Sequence, residues 1–173
     1  MAIKRTLLIL RHAKSDWSAG ASDDFKRPLS KRGRKDSPRM GKWMLTRGLV
    51  PEIIISSPAK RARQTLELVC SELCPGRDNI IWDERIYMAD LQALLEVLRE
   101  YPDQARSILL VGHNPGLEDL LLHLAGNLVP EPADGKTLPT ATLAEIEFDC
   151  HWHELQADSA RLVKITRPRN LPE

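Results

Sequence analysis

Three short apolar runs in this 173-residue sequence each end in groups suited to holding an oxyanion. Arg11-His12-Ala13-Lys14 follows the first, Ser57-Pro58-Ala59-Lys60-Arg61-Ala62-Arg63-Gln64-Thr65 the second, and Gly112-His113-Asn114-Pro115-Gly116 the third. If the three ends meet, two histidines and at least two arginines converge on one volume. That is chemistry for a phosphoryl group, whose equatorial oxygens need positive donors already in place. Guanidinium forks match those oxygens better than ammonium does, and such a cradle requires no metal ion.

For the groups to meet, the runs must be neighbouring strands. Residues 6–10, 52–56 and 107–111 are continuous apolar stretches bounded by polar residues, Gly or Pro, the pattern of buried strands in a mainly parallel sheet. Between and after them the apolar spacing is helical: Met40, Trp43 and Met44, then Leu66, Val69, Cys70 and Leu73, then Leu91, Leu94, Leu95 and Leu98, then Leu117, Leu120, Leu121 and Leu124. Pro58 and Pro115 stand where helices are expected to begin, and Pro102 follows the third helix. Residues 79–82, 143–148 and 161–166 are expected strands, and 13–29 and 127–141 are expected surface loops. The pattern predicts one three-layer α/β domain over residues 1–173, a mainly parallel sheet flanked by helices, with its ligand beyond the carboxyl ends of the strands.

Composition narrows the class of function. With 42% hydrophobic and 28% charged residues the chain reads as an ordinary globule. No apolar run approaches the roughly 18 residues of a membrane span, and the run after Lys4 and Arg5 is too short for a signal-peptide core, so a cytoplasmic location is expected. Cys70, Cys74 and Cys150 are few and odd in number, which indicates neither a disulfide framework nor a cysteine zinc site. A net charge of +1 argues against a general nucleic-acid or membrane binder. The charge is uneven, however: residues 1–65 hold 16 Lys and Arg against 5 Asp and Glu, and the remainder 9 against 19. Clustered basic residues would make a surface for an anionic ligand; a solvated face of charges is the plainer reading of the same asymmetry.

Four segments in order, Leu10-Arg11-His12-Ala13-Lys14, Arg27-Pro28-Leu29-Ser30-Lys31-Arg32-Gly33, Ser57 to Thr65, and Val111-Gly112-His113-Asn114-Pro115, resemble the motifs of the histidine phosphatase superfamily, also called phosphoglycerate mutase-like. The similarity runs from about residue 6 to about 148 and is strongest to the short phosphohistidine phosphatases. Ala13 is a departure, since many members carry glycine there. The resemblance implies a phosphoglycerate mutase-like fold and a metal-independent phosphatase with no cofactor. His12 would attack phosphorus through a phosphohistidine intermediate, held neutral by the surrounding arginines, with Arg11, Arg61 and His113 on the equatorial oxygens. It also implies a rim contact for Arg27, for which a capping or solvated role is the alternative. Arg63, two residues from Arg61 and off its helix face, is expected to be a surface charge. Asp83-Glu84-Arg85-Ile86-Tyr87 is similar to the segment that supplies the acid in the mutase branch, making Glu84 the candidate proton donor, with an ordinary exposed carboxylate as the alternative.

The favoured substrate is a phosphohistidine borne on a protein, because the loops are short and superfamily members acting on small metabolites generally carry insertions that close the pocket. A phosphatase of small phosphate esters or nucleotides, and a non-catalytic phosphohistidine-binding module, are the alternatives. His151 and His153 alternate around Trp152 and are read as surface residues, although a metal-binding pair is conceivable there.

Overall fold

The computed structural model describes residues 3–74 and 80–172; Asn79, which opens one expected strand, lies outside them. The strands are β1 (Arg5–Arg11), β2 (Ile53–Ser56), β3 (Ile80–Trp82), β4 (Ser107–Gly112), β5 (Leu143–Phe148) and β6 (Arg161–Thr166). The helices are α1 (Lys31–Thr46), α2 (Lys60–Leu73), α3 (Leu91–Arg99) and α4 (Gly116–Ala125). The strands form one sheet in the order β3-β2-β4-β1-β5-β6, and β5 is its antiparallel member.

Alternation along β1 builds the two cores. Leu7 and Ile9 pack with Leu94, Leu98, Leu117 and Leu121 of α3 and α4, whereas Leu8 and Leu10 pack with Met40, Met44, Leu66 and Val69 of α1 and α2. Every one of these side chains is at most 1% exposed, and each contributes about 1.5–3 kcal/mol by leaving water. A strand buried on both faces has to be apolar at every position, which is why β1 reads as a continuous run.

Parallel register aligns the functional edge. Arg11 lies opposite Gly112, and Ser56 opposite Val111. Beyond the strand ends His12 N–H donates to Gly112 O at 3.1 Å, and Ser57 N–H to Val111 O at 3.0 Å. The three segments that follow β1, β2 and β4 therefore leave the sheet side by side.

Helix α1 is longer than its apolar spacing suggests. It begins at Lys31, where the Ser30 side chain caps it by accepting from Gly33 N–H at 3.2 Å, and it contains Pro38. Its first half buries Gly33, Asp36 and Ser37 rather than large apolar residues, so periodicity alone marks only the second half. A side chain at Gly33 would run into the carbonyl oxygen of Lys14, and one at Gly41 into that of Val69. These two glycines let α1 lie directly on the chain leaving β1 and on α2.

The segment 13–29 is not simply a surface loop. Ser15 and Leu29 form an antiparallel bridge, Asp16 N–H donates to Pro28 O, and Ala13 and Leu29 are fully buried. Between them the single turn 24–26, capped by Asp23, is held over the ends of β1 and β2. In the second expected loop Leu138 and Ala141 are also buried. Among the described residues no helix is long and apolar enough to cross a membrane. His151 and His153 stack with centroids 5.4 Å apart and face Asp103, but the buried Arg5 guanidinium lies 3.3 Å from His151 Nδ1, and no metal-holding group of three occurs among the described residues.

Candidate active site

His12 stands one residue beyond β1, 7% exposed, with its main chain fixed on Gly112. Its Nδ1 lies 2.7 Å from Ala13 O. A carbonyl only accepts, so Nδ1 carries the proton and Nε2 is left with its lone pair. Burial pushes the imidazole down to about 3; the bond to Ala13 opposes that, and His113, Arg61 and Arg11 add to it. The arginines lower His12 as expected, and loss of solvent adds a larger effect in the same direction. Thr65 holds the same turn from α2: its hydroxyl accepts from Ala13 N–H at 2.9 Å and donates to Arg61 O at 2.7 Å.

Arg61, in the first turn of α2, is 2% exposed, and its Nε points at His12 Nε2 from 3.3 Å. Both of its terminal nitrogens are engaged by Asp24, Nη1 with the main-chain oxygen at 2.7 Å and Nη2 with Oδ2 at 2.9 Å. The same carboxylate receives Arg27 Nη1 at 2.5 Å and the Tyr87 hydroxyl at 2.8 Å. Burial alone would raise the Asp24 pKa, but the bonds from Tyr87 and Arg61 and the charge of Arg61 bring it down to about 2. Asp24 is therefore an anion held among cations.

His113 follows β4 with its ring centroid 5.2 Å from that of His12. Its Nε2 is 2.7 Å from Ser57 Oγ, while its Nδ1 is buried without a described partner. Burial and then Arg61 push it down to about 3, so it too is neutral. Arg11, the last residue of β1, donates from Nη1 to Leu138 O at 2.9 Å and leaves its buried Nε without a described partner. Tyr87 meets His113 edge-on, Phe25 backs Tyr87, and Trp17 lies against the Arg27 guanidinium at 3.6 Å.

The structure thus brings Arg11, His12, Arg61, His113 and Arg27 to one pocket of about 240 Å³. Arg27 is 8% exposed, its side chain bonded to Ser15 and Asp24 rather than solvated, and its backbone N–H caps the 24–26 turn on Asp24 O at 3.2 Å. Glu84 is exposed on the 84–86 turn and does not line this pocket. Arg63 is half-buried over the ring of Trp82 rather than free on the surface. Sequence reasoning missed Asp24 and Tyr87. Asp24 lies three residues before Arg27, the one signal that pointed to it.

Comparison with known proteins places the chain in a family. Residues 7–86 match the model of the histidine phosphatase superfamily, branch 1. The chain is 31% identical to an uncharacterized Mycobacterium leprae protein over 92% of this chain and all of that one. It is 30% identical to the phosphohistidine phosphatase SixA of Escherichia coli over 83% of this chain and 85% of SixA. The chain belongs to the histidine phosphatase superfamily. Its fold matches a solved SixA in complex with tungstate at a TM-score of 0.79, with 22% identity, over 95% of this chain and 98% of that one.

Proposed function

We propose that this protein is a phosphohistidine phosphatase acting through a phosphorylated His12. The observation that carries the reading is the His12 tautomer: Nδ1–H is committed to Ala13 O, and the unprotonated Nε2 faces the cationic pocket. Nε2 attacks phosphorus and the bond from phosphorus to the leaving nitrogen breaks, the leaving imidazole taking a proton. Water then attacks the phosphoryl group on His12, releasing phosphate and restoring the neutral imidazole.

Arg11, Arg61 and His113 stabilise the charge on the equatorial oxygens. We assign the Ser57 hydroxyl as the donor to His113 Nε2, which puts the proton on Nδ1, the atom without a described partner, as a donor to phosphate. The two guanidinium cations, with His113 as a neutral donor, fill the role divalent metals take in other phosphoryl-transfer sites, so turnover is expected to survive chelation. Arg27 holds Asp24 and shapes the rim. A nitrogen leaving group accepts its proton readily from solvent, which suits a pocket whose lining carboxylate, Asp24, is ionised and whose candidate acid, Glu84, is outside.

A protein-borne substrate fits a pocket that shares walls with an open groove, and the absence of a disulfide among Cys70, Cys74 and Cys150 suits the cytoplasm. The test is phosphate release from a phosphohistidine peptide, a phosphoserine peptide, a mononucleotide and an alkyl phosphate. The phosphohistidine peptide is expected to give the highest kcat/KM. A preference for the nucleotide or alkyl ester would replace this reading with that of a small-ester phosphatase, and binding without turnover with that of a reader module.

A further inference from the structure

Beside the candidate catalytic pocket lies a second, larger depression of about 520 Å³ that shares with it the walls Arg11, Lys14, Asn114 and Thr140. Its walls come from separate parts of the chain: Arg32 from α1, Lys136 from the 127–141 segment, and Arg169 from the segment after β6. Two acids also line it, against the six cations Arg11, Lys14, Arg32, Lys136, Arg167 and Arg169. Asp134 is taken by Arg167 at 2.6 Å, and Glu118 accepts from Asn114 at 3.0 Å. Lys14 and Lys136 are exposed and form no ion pair among the described residues; Arg169 is 65% exposed and reaches Asp134 at 3.7 Å. The groove is therefore cationic where it meets solvent.

Helix α1 supplies an independent sign. A helix N-terminus favours anionic side chains, yet the first turn of α1 holds no acid, and Lys31, Arg32 and Arg34 stand there instead. Helix α2 breaks the same rule, with Lys60, Arg61 and Arg63 at its start, and there one of the cations, Arg61, lines the phosphoryl pocket. Gly33 brings the start of α1 onto Lys14, so both unfavourably charged helix starts flank the strand-end face. A local rule broken twice at one edge points to an anionic ligand larger than one phosphoryl group.

The kind of anion follows from how the cations are held. The phosphoryl pocket uses the buried, fixed guanidinium of Arg61. The groove uses exposed charges spread over several elements, which suit a string of carboxylates approaching by long-range attraction rather than a second phosphate locked in a fork.

We propose that this groove docks an acidic segment of the protein whose phosphohistidine enters the adjoining pocket. The proposal rests on the phosphohistidine phosphatase reading and adds which proteins are preferred: those with Asp and Glu beside the phosphorylated histidine.

The test compares a phosphohistidine peptide with acidic flanks, one with uncharged flanks, and phosphoramidate, for the unaltered chain and for Arg32→Glu/Lys136→Glu. Neither substituted residue is in the catalytic set; Arg32→Glu gives up a 3.3 Å ion pair with Asp36 but puts an anion where the helix dipole favours it, and the rate on phosphoramidate reports whether the fold is kept. The unaltered chain is expected to prefer the acidic peptide at low salt and lose the preference as salt rises. The double variant should lose at least about tenfold in kcat/KM on the acidic peptide, mostly through KM, and keep its rate on phosphoramidate.

Equal activity of the variant on the acidic peptide, or equal loss on all three substrates, would overturn the groove's role. So would a preference for a small bisphosphate over the acidic peptide. Fluorescence anisotropy of a labelled acidic peptide without phosphate, titrated with His12→Ala, decides the point without turnover. Salt-sensitive binding that Arg32→Glu/Lys136→Glu abolishes would sustain the groove even if phosphoramidate is not hydrolysed, and in that case it is the phosphatase reading that fails.

Discussion

The Arg61 guanidinium directs its Nε to His12 Nε2 across 3.3 Å, so a fixed cation donates to the imidazole nitrogen proposed to attack phosphorus. The contact adds to the burial that keeps this imidazole deprotonated and, on the phosphatase reading, marks where a phosphoryl oxygen would meet the guanidinium. Arg61→Ala should lower kcat by about 10²- to 10³-fold, the roughly 2–4 kcal/mol typical of removing one preorganised donor. Arg61→Lys should recover little of it, since an ammonium cannot offer a fork. Steady-state kinetics on phosphoramidate checks both; full rescue by lysine would reduce Arg61 to a point charge.

Asp24 occupies the same fork as an anion. Asp24→Asn should tighten inhibition by inorganic phosphate about fivefold, the ~1 kcal/mol that two unit charges 4 Å apart exchange in a water-like dielectric. The measurement is the inhibition constant of phosphate at fixed ionic strength. Weaker inhibition in the variant would make Asp24 a buttress that holds Arg61 in place.

Acid should destabilise the protein in a defined window. Unfolded imidazoles protonate near the ordinary 6.5, whereas His12 and His113 in the fold protonate only near 3. Between those values the unfolded chain binds more protons, so stability falls as pH drops from about 6.5 towards 3. Asp24, lowered to about 2, adds stability above its ordinary value of 3.8 that is lost as pH falls through 2. Urea unfolding between pH 7 and pH 4 checks the imidazole part, and His113→Gln should flatten the curve. An unchanged slope in that variant would mean that His113 is not buried neutral.

Glu84 lies outside the pocket, so Glu84→Gln should leave kcat on phosphoramidate and on an alkyl phosphate within about twofold of the unaltered chain, against the 10²- to 10⁴-fold typical of losing a general acid. A loss confined to the alkyl phosphate would restore Glu84 as the proton donor.

The strands β1, β2 and β4 are legible in the sequence because burial on both faces demands unbroken apolar runs, and the residues after them follow from that placement. The start of α1 is hidden, because glycine, aspartate and serine fill its buried positions and its cations resist the helix dipole. Asp24 is hidden for another reason. Its partners Arg61 and Tyr87 are 37 and 63 residues away, and only closure of the 13–29 segment brings them together. Arg63 looked free because no sequence spacing announces a Trp82 ring beneath it. Short-range pattern identifies the elements and the residues at their ends, whereas the charge pairing that tunes the pocket depends on the fold.

The most direct measurement of the central claim is rapid-quench labelling with ³²P-phosphoramidate. A labelled enzyme that is stable in alkali, lost in acid, abolished by His12→Ala and unaffected by a chelator is the expected result. Label that persists in His12→Ala, or turnover that stops with a chelator and returns with added metal, would contradict it.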